Sequence, residues 1–364
     1  MTRILITGCG GPASIGVTRS LQRSKRYELV GIDANLVQLS VAETPVRYHV
    51  PPADDVRYLA VLNRIIGAEG IDFVHAQPDP EVAELSRYRD SVKARLFLPR
   101  HETVELCQDK YRSYERWAAA GIAVPRTILI RDESGLHEAF AQFGTPFWIR
   151  ATTGAAGRAS FIVRDFGAAR SWIENWHGWG TFAASELLPG RLLTWQSLWR
   201  DGKLVCAQSR ERLAWAMGNR SPTGVTGVTG IARTVARTDL DEIAQRAILA
   251  VDAKPHGIFG VDLKEGADGV PRPTEINIGR FFTTIQFFTE LGLNMPELYV
   301  RIGLGEQVSV DHPINPLPVD VYWIRSMDTQ PRLLRSSDIP TFVKGLGGAL
   351  PDLDVRPDAT VFYE

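Results

Sequence analysis

Two carboxylates and a carboxamide lie close together in a segment that otherwise has the composition of a protein interior. The apolar run from Ile258 to Lys264 predicts a buried β-strand, and Pro273 to Ile278 predicts the returning strand of a hairpin after an Asp-Gly turn. Alternate side chains of a strand share a face, so Glu275 and Asn277 point the same way. Asp262 lies on the partner strand and can face the same spot.

Burying two carboxylates and an amide oxygen in apolar surroundings is costly unless a cation lies among them. Hard oxygen ligands in this number suit Mg²⁺, which keeps some waters and also takes phosphate oxygens, and Mn²⁺ is an acceptable substitute. The alternative is an acidic hairpin edge that faces solvent. The hairpin runs directly into Phe281 and Phe282, which favours an interior position. We therefore interpret the hairpin as a metal–nucleotide platform.

Composition excludes several classes of function. The chain has 364 residues, 44% of them hydrophobic and 23% charged, which is ordinary for a globular protein. Lysine and arginine total 41 against 42 acidic residues, so no net charge favours nucleic acid or an acidic membrane as a partner. Three distant cysteines argue against a disulfide framework or a zinc site. No signal region and no run of ~18 apolar residues is present, so we expect a cytoplasmic protein.

The first hundred residues have the pattern of a doubly wound α/β sheet. An apolar strand from Arg3 to Thr7 is followed by a glycine-rich turn, a helical segment, and a second strand that ends at Asp33. This order also invites a dinucleotide-binding hypothesis, but "GCGGPASIG" has an extra residue and a proline relative to G-x-G-x-x-G. The helix N-terminus still offers amide donors to a substrate anion.

Two segments in the middle of the chain have features of a polyphosphate site. A strand ending at Arg150 leads into "ATTGAAGR", whose small residues let backbone N–H groups approach phosphates closely. The alternative is an ordinary hairpin loop. About thirty residues later, "ASELLPGR" leaves a strand as an extended hinge, which can offer backbone groups to an adenine edge.

In this order and spacing, the chain resembles the ATP-grasp superfamily, in particular the carbamoyl-phosphate-synthetase-like carboxylate–amine ligases, which include the pyrrolysine-biosynthesis ligase. The order begins with Asp109-Lys110, continues through the cation-ended strand and the hinge, and closes with the Asp and Glu-x-Asn hairpin. The resemblance implies a mixed α/β and α+β protein, with a Rossmann-like N-terminal domain before a two-lobed ATP-grasp fold. It implies a division into residues 1–107, 108–190 (small lobe), 191–310 (large lobe) and a C-terminal extension, 311–364.

The resemblance also assigns roles to residues. ATP would contact Lys110, Arg150, Gly154, Ala155, Ala156, Gly157, Glu186, Leu187 and Leu188. Mg²⁺ would be held by Asp262, Glu275 and Asn277. Arg210, Arg212 and Arg280 would lie near the acyl oxygen, although a structural carboxylate is an alternative partner for Arg280. Substrate would approach Gly10, Gly11, Ser14, Gln77 and Asp79.

The implied reaction is phosphorylation of a small carboxylate by ATP to an acyl phosphate, which an amine or another nucleophile, such as a thiol, then attacks. Small-molecule substrates are the implied partners, and a homodimer is left open. Three features depart from the family pattern: Leu192 replaces the acid that follows the hinge glycine, Ile278-Gly279 displaces Arg280 by one residue, and Arg150 stands where many relatives have lysine. A nucleotide-binding oxidoreductase and a non-catalytic ATP-binding module remain the alternatives.

Overall fold

The computed structural model describes residues 1–155, 157, 159–221, 223–326 and 332–338. Three sheets with their helices account for these residues. Across the described part of the chain, none of the helices is both long and apolar enough to span a bilayer. The four-part division at residues 107, 190 and 310 remains a prediction, and most of its last part lies outside the described residues.

The first sheet is parallel, with the strand order β3-β2-β1-β4. Its central strand is buried on both faces, which is why it appears in the sequence as a continuous apolar run. The strands are β1 (Thr2–Thr7), β2 (Tyr27–Asp33), β3 (Val46–His49) and β4 (Phe73–His75). The helices are α1 (Pro12–Ser24), α2 (Leu36–Val41), α3 (Tyr58–Glu69), α4 (Asp79–Arg87) and α5 (His101–Gln108), with a 3-10 turn at Arg89–Ser91.

The second sheet is antiparallel, with the order β5-β8-β6-β7 and its own hydrophobic core. Its strands are β5 (Thr127–Ile130), β6 (Phe147–Ala151), β7 (Phe161–Val163) and β8 (Phe182–Glu186). The accompanying helices are α6 (Lys110–Ala119), α7 (Glu133–Phe143) and α8 (Phe166–Asn175).

The third sheet has seven antiparallel strands in the order β13-β12-β9-β10-β11-β14-β15. They are β9 (Leu192–Arg200), β10 (Lys203–Trp215), β11 (Thr229–Val235), β12 (Gly257–Glu265), β13 (Pro271–Ile278), β14 (Val321–Ile324) and β15 (Arg332–Arg335). The helices are α9 (Thr238–Val251), α10 (Ile285–Glu290) and α11 (Met295–Gly303), with 3-10 turns at Gly218–Arg220 and Ser336–Asp338.

The two faces of the third sheet have different partners. One face carries Trp195, Val261 and Leu263 in the same hydrophobic cluster as α9 residues. The opposite face is apolar at one end, where Leu198 and Ile258 cluster with residues of α10, α11 and the first sheet. The other end of that face is polar and carries the residues of the predicted site.

Candidate active site

A cleft of about 740 Å³ lies between the second and third sheets. Most of the predicted nucleotide and metal residues line it: Lys110, Arg150, Gly154, Ala155, Gly157, Glu186, Leu187, Leu188, Arg212, Asp262 and Glu275. Ala156 lies outside the described residues. The remaining predicted residues do not line the cleft: Asn277, Arg210, Arg280, Gly10, Gly11, Ser14, Gln77 and Asp79.

The predicted hairpin is formed by β12 and β13. Asp262 is directly opposite Glu275 in the register, and the Asn277 amide Nδ2 donates to Asp262 Oδ2 at 3.2 Å. Burial raises the pKa of Asp262, and this effect outweighs the nearby Arg212 guanidinium. Burial also acts to raise the pKa of Glu275, but the charges of Lys110 and Arg150 outweigh it and the pKa is lowered. The side chains predicted to converge do so.

These donors fit a hard divalent cation. Within the described residues there is no group of three or more His, Cys, Asp or Glu side chains that could hold a metal, so a third protein oxygen has to come from an amide. Asn277 offers that oxygen, which accepts a hydrogen bond from Arg280 Nη2. Two facing carboxylates and an amide oxygen match Mg²⁺, provided that the ion shares or replaces this arginine contact.

Two cations from different parts of the chain converge on Glu275. Lys110 Nζ lies 3.9 Å from Glu275 Oε2, and Arg150 Nη1 lies 3.6 Å from the same oxygen. Arg150 Nη2 also donates to the Thr274 carbonyl at 2.5 Å. Helix α6 begins at Lys110 because the Asp109 side chain caps it by accepting from two backbone N–H groups. Burial lowers the pKa of both cations.

The glycine-rich loop closes one side of the cleft. Lys110 Nζ donates to the Gly154 carbonyl at 2.6 Å, and both Gly154 and Gly157 have positive φ. A Cβ at Gly157 would lie 2.9 Å from Val225 Cγ1, so any side chain there would collide with the loop before β11. That loop, through Thr223 and Val225, lines the cleft on the facing side. Sequence reasoning missed this loop-to-loop contact.

The hinge after β8 leaves backbone groups available to a ligand. Among the described residues, the N–H groups of Leu187 and Leu188 have no hydrogen-bond acceptor. The Glu186 carboxylate accepts from the backbone N–H of Arg126 at 2.9 Å, so its side chain secures the hinge. No signal in the sequence pointed to Arg126. Leu192, which departs from the family pattern, lines the cleft and pairs with Lys264 on the neighbouring strand. Lys264 also lines the cleft, and sequence reasoning did not identify it.

Arg212 and Arg210 have different environments. Arg212 Nη2 lies 3.3 Å from Asp262 Oδ1, and its guanidinium lies 3.9 Å from the centre of the Trp215 ring. Arg210 is 1% exposed and lies 5.2 Å from the centre of the Phe282 ring. Arg212 therefore lies beside the hairpin carboxylate Asp262 and lines the cleft, whereas Arg210 does not line it.

Arg280 joins the first sheet's layer to the hairpin of β12 and β13. Its Nε donates to Asp79 at the start of α4, and its Nη2 donates to Asn277. Burial lowers the pKa of Arg280, but Asp79 and Glu275 outweigh this and the pKa is raised. Gln77 makes a parallel connection, because its amide donates to the Phe281 carbonyl at 2.8 Å and accepts from the Phe281 N–H at 3.2 Å.

The N-terminal glycine turn is engaged internally. Gly10 N donates to Asp33 Oδ2 at 3.1 Å, and a Cβ at Gly10 would lie 1.9 Å from the Gln38 carbonyl oxygen. The Ser14 hydroxyl donates to the Thr7 carbonyl at 3.1 Å. The dinucleotide hypothesis needs Asp33 to bind a ribose, yet this carboxylate is buried and occupied by backbone N–H groups.

A parallel N-terminal layer followed by two antiparallel sheets that enclose a cation-lined cleft defines the ATP-grasp fold. The solved structures agree. The L-amino acid ligase of Bacillus licheniformis superposes with a TM-score of 0.67 at 12% identity, covering 89% of this chain and 79% of its own. N5-carboxyaminoimidazole synthetase of Staphylococcus aureus complexed with ADP also gives 0.67, at 16% identity over 89% and 82%. The resemblance drawn from the sequence is confirmed at the level of the fold.

Sequence comparison finds relatives that match part of the chain. N5-carboxyaminoimidazole ribonucleotide synthase of Mycobacterium tuberculosis is 28% identical over 233 residues, which is 58% of this chain and 48% of that protein. The chain thus spans about half the length of the curated relatives it matches. No family model matches the chain.

Proposed function

We propose that this protein is an ADP-forming ligase that uses ATP to activate a small carboxylate and joins it to an amine or another nucleophile. The observation that carries the proposal is Glu275, which faces Asp262 and lies between Lys110 and Arg150 inside the cleft. Similar proteins support it, because they include an amino acid ligase and a synthetase complexed with ADP.

Each part of the cleft has a role in holding ATP. The free N–H groups of Leu187 and Leu188 suit the adenine edge, and the loop around Gly154 suits the phosphates. Lys110 and Arg150 supply positive charge to the γ-phosphate, where positioning and cations account for most of the catalysis of phosphoryl transfer. Asp262, Glu275 and Asn277 would hold Mg²⁺, which neutralises phosphate charge when it is bound.

The chemistry requires no nucleophile from the protein. A carboxylate oxygen of the substrate attacks the γ-phosphorus, the bond to the bridging oxygen breaks, and ADP leaves. The incoming nucleophile then attacks the acyl carbon of the acyl phosphate, loses its proton, and displaces inorganic phosphate. Arg212 and Arg280 flank the hairpin and can neutralise the phosphoryl and acyl oxygens.

The thiols of the chain do not offer a covalent route. Cys9, Cys107 and Cys206 are all buried. Burial raises the pKa of Cys9 to about 11 and that of Cys206 to about 12, so both stay protonated at neutral pH. A substrate carboxylate as the phosphoryl acceptor is therefore the simpler assignment.

ADP release across a panel of small acids and amino acids tests the proposal, with hydroxylamine added to trap an acyl phosphate. We expect ADP release that depends on one class of carboxylate, together with a hydroxamate of that acid. If Mg-ATP binds but no acid supports ADP release, the protein is a non-catalytic ATP-binding module. If NAD(P)H binds and Mg-ATP does not, the oxidoreductase alternative replaces the proposal.

A further inference from the structure

Two arginines of the third sheet and its margin, the buried Arg210 and the half-buried Arg325, have no counter-ion among the described residues. Among the described residues, neither Arg210 nor Arg325 forms an ion pair, and the Nε and Nη1 atoms of Arg210 are buried without a hydrogen-bond partner. Arg325 uses its Nε on the Thr229 carbonyl at 3.2 Å, but its Nη2 is buried without a partner. Unpaired buried guanidinium groups are uncommon because both the charge and the donors lose their hydration.

Arg210 lies on the same face of the third sheet as the metal carboxylates. It is directly opposite Thr194, which is directly opposite Asp262 on the next strand. Directly opposite residues of an antiparallel sheet share a face. Two strand spacings separate Arg210 from Asp262, which is about 10 Å between backbones.

Arg325 directly follows β14, which lies on the side of β10 away from the hairpin, and it belongs to the same face of the third sheet as Arg210. Arg212 pairs with Ala232, and Ala232 pairs with Trp323. Arg325 follows Trp323 by two residues, and its N–H continues the pairing by donating to the Gly230 carbonyl at 3.0 Å. Alternate residues of a strand share a face, so Arg325 lies on the same face as Trp323, Ala232 and Arg212. Burial lowers the pKa of Arg210, and the charges of Arg212 and Arg325 lower it further.

The charges of the described residues around Arg210 do not cancel without a ligand. Arg212 is paired with Asp262, Arg280 with Asp79, and Lys110 and Arg150 share Glu275. Arginine does not discharge by losing its proton, because its intrinsic pKa is too high. The Phe282 ring offsets part of the cost for Arg210 but satisfies none of its donors.

Two further polar atoms are buried without a hydrogen-bond partner among the described residues. The indole nitrogen of Trp323 is buried without a partner on the strand that leads to Arg325. The hydroxyl of Thr284 is likewise buried and unpartnered, two residues after the Phe282 ring that covers Arg210. Unpartnered donors and unpaired cations are both suited to an oxyanion.

We infer that Arg210 and Arg325 bind a second anionic group on the substrate whose carboxylate is activated. This inference rests on the proposed function, and it narrows the substrate to acids with another carboxylate or a phosphate. The ATP phosphates do not account for these arginines, because neither residue lines the nucleotide cleft. The backbones of Arg210 and Asp262 are about 10 Å apart, so the two anionic groups of the substrate would be separated by several bonds.

The test uses three acids of matched length: valerate, glutarate and 4-phosphonobutyrate. Each is titrated into the full chain saturated with Mg²⁺ and a non-hydrolysable ATP analogue, and binding is followed by thermal shift and calorimetry. We expect glutarate or 4-phosphonobutyrate to bind at least tenfold more tightly than valerate. The better of the two identifies the second anion as a carboxylate or a phosphate.

Variants separate this site from general charge effects. Arg325→Gln and Arg210→Met should each remove most of the preference for the second anion, whereas Arg116→Gln on the exposed side of α6 should keep it. Without ligand, Arg210→Met should melt no lower than the wild type, because the cation it removes has no ion-pair partner among the described residues. Equal binding of all three acids, or a preference that survives both variants, overturns the inference. Failure of the ATP analogue to bind would instead refute the proposed function.

Discussion

Replacing Glu275 with glutamine tests the centre of the site, because this carboxylate faces both the proposed metal position and two cations. Glutamine is nearly isosteric, so the change removes charge and one acceptor while leaving the hairpin in place. Lys110 at 3.9 Å and Arg150 at 3.6 Å then lose their shared partner.

The magnitude follows from these distances. Each pair at about 4 Å has a Coulomb energy of ~4 kcal/mol at an effective dielectric constant of 20, most of which offsets desolvation. The Glu275 side chain is 29% exposed. We therefore expect the free energy of unfolding of the ligand-free protein to fall by about 2 kcal/mol. Turnover should fall on the order of 10²–10³, the usual effect of removing one preorganised electrostatic group.

Nucleotide binding should change in opposite directions with and without metal. Mg-free ATP should bind Glu275→Gln at least as tightly as the wild type, because the carboxylate no longer competes with the phosphates for Lys110 and Arg150. The gain in affinity that the wild type obtains from Mg²⁺ should be largely lost.

Denaturant unfolding, calorimetry with and without Mg²⁺, and ADP release measure the three effects of Glu275→Gln. Glu211→Gln is the matched control: this buried carboxylate is also paired with an arginine, Arg233, but it does not line the cleft. It should lose stability without changing the Mg²⁺ dependence of ATP binding. Near-wild-type turnover in Glu275→Gln, or an unchanged Mg²⁺ dependence, would refute the hairpin as the metal platform.

The remaining predictions concern the nucleotide, a bridging arginine and a buried acid. Mg-ATP at about 100 times its dissociation constant should stabilise the protein by ~2.7 kcal/mol in thermal unfolding, whereas NAD(P)H should not. Arg280→Lys should lose turnover with little change in ATP affinity if it contacts the transferring phosphate. If Arg280→Lys instead lowers stability and keeps full activity, the role of Arg280 is structural, as the link between Asp79 and Asn277. Burial raises the pKa of Glu81 from 4.5 to about 7. The contribution of Glu81 to the free energy of unfolding is therefore fully present below pH ~4.5 and is lost as the pH rises through 7. Glu81→Gln should remove about 3 kcal/mol of that dependence in denaturant unfolding measured from pH 4 to 8.

The sequence alone was sufficient to predict the features that depend on residues close together in the chain. The period-two alternation of a strand placed Glu275 and Asn277 on one face, and an Asp-Gly turn brought Asp262 opposite them. Asp109 marked the start of the helix that carries Lys110, because capping is decided within one turn. The doubly wound N-terminal layer followed from the same local periodicities.

Only the tertiary structure decided which charges meet. Lys110 and Arg150 share one oxygen of Glu275, and Arg280 reaches Asp79, about two hundred residues away in the chain. No local pattern predicts such contacts, because they depend on how separately folded layers pack against one another. For the same reason the sequence could name Arg210 but could not show that it is buried without a counter-ion among the described residues, since the absence of a partner depends on how the surrounding elements pack.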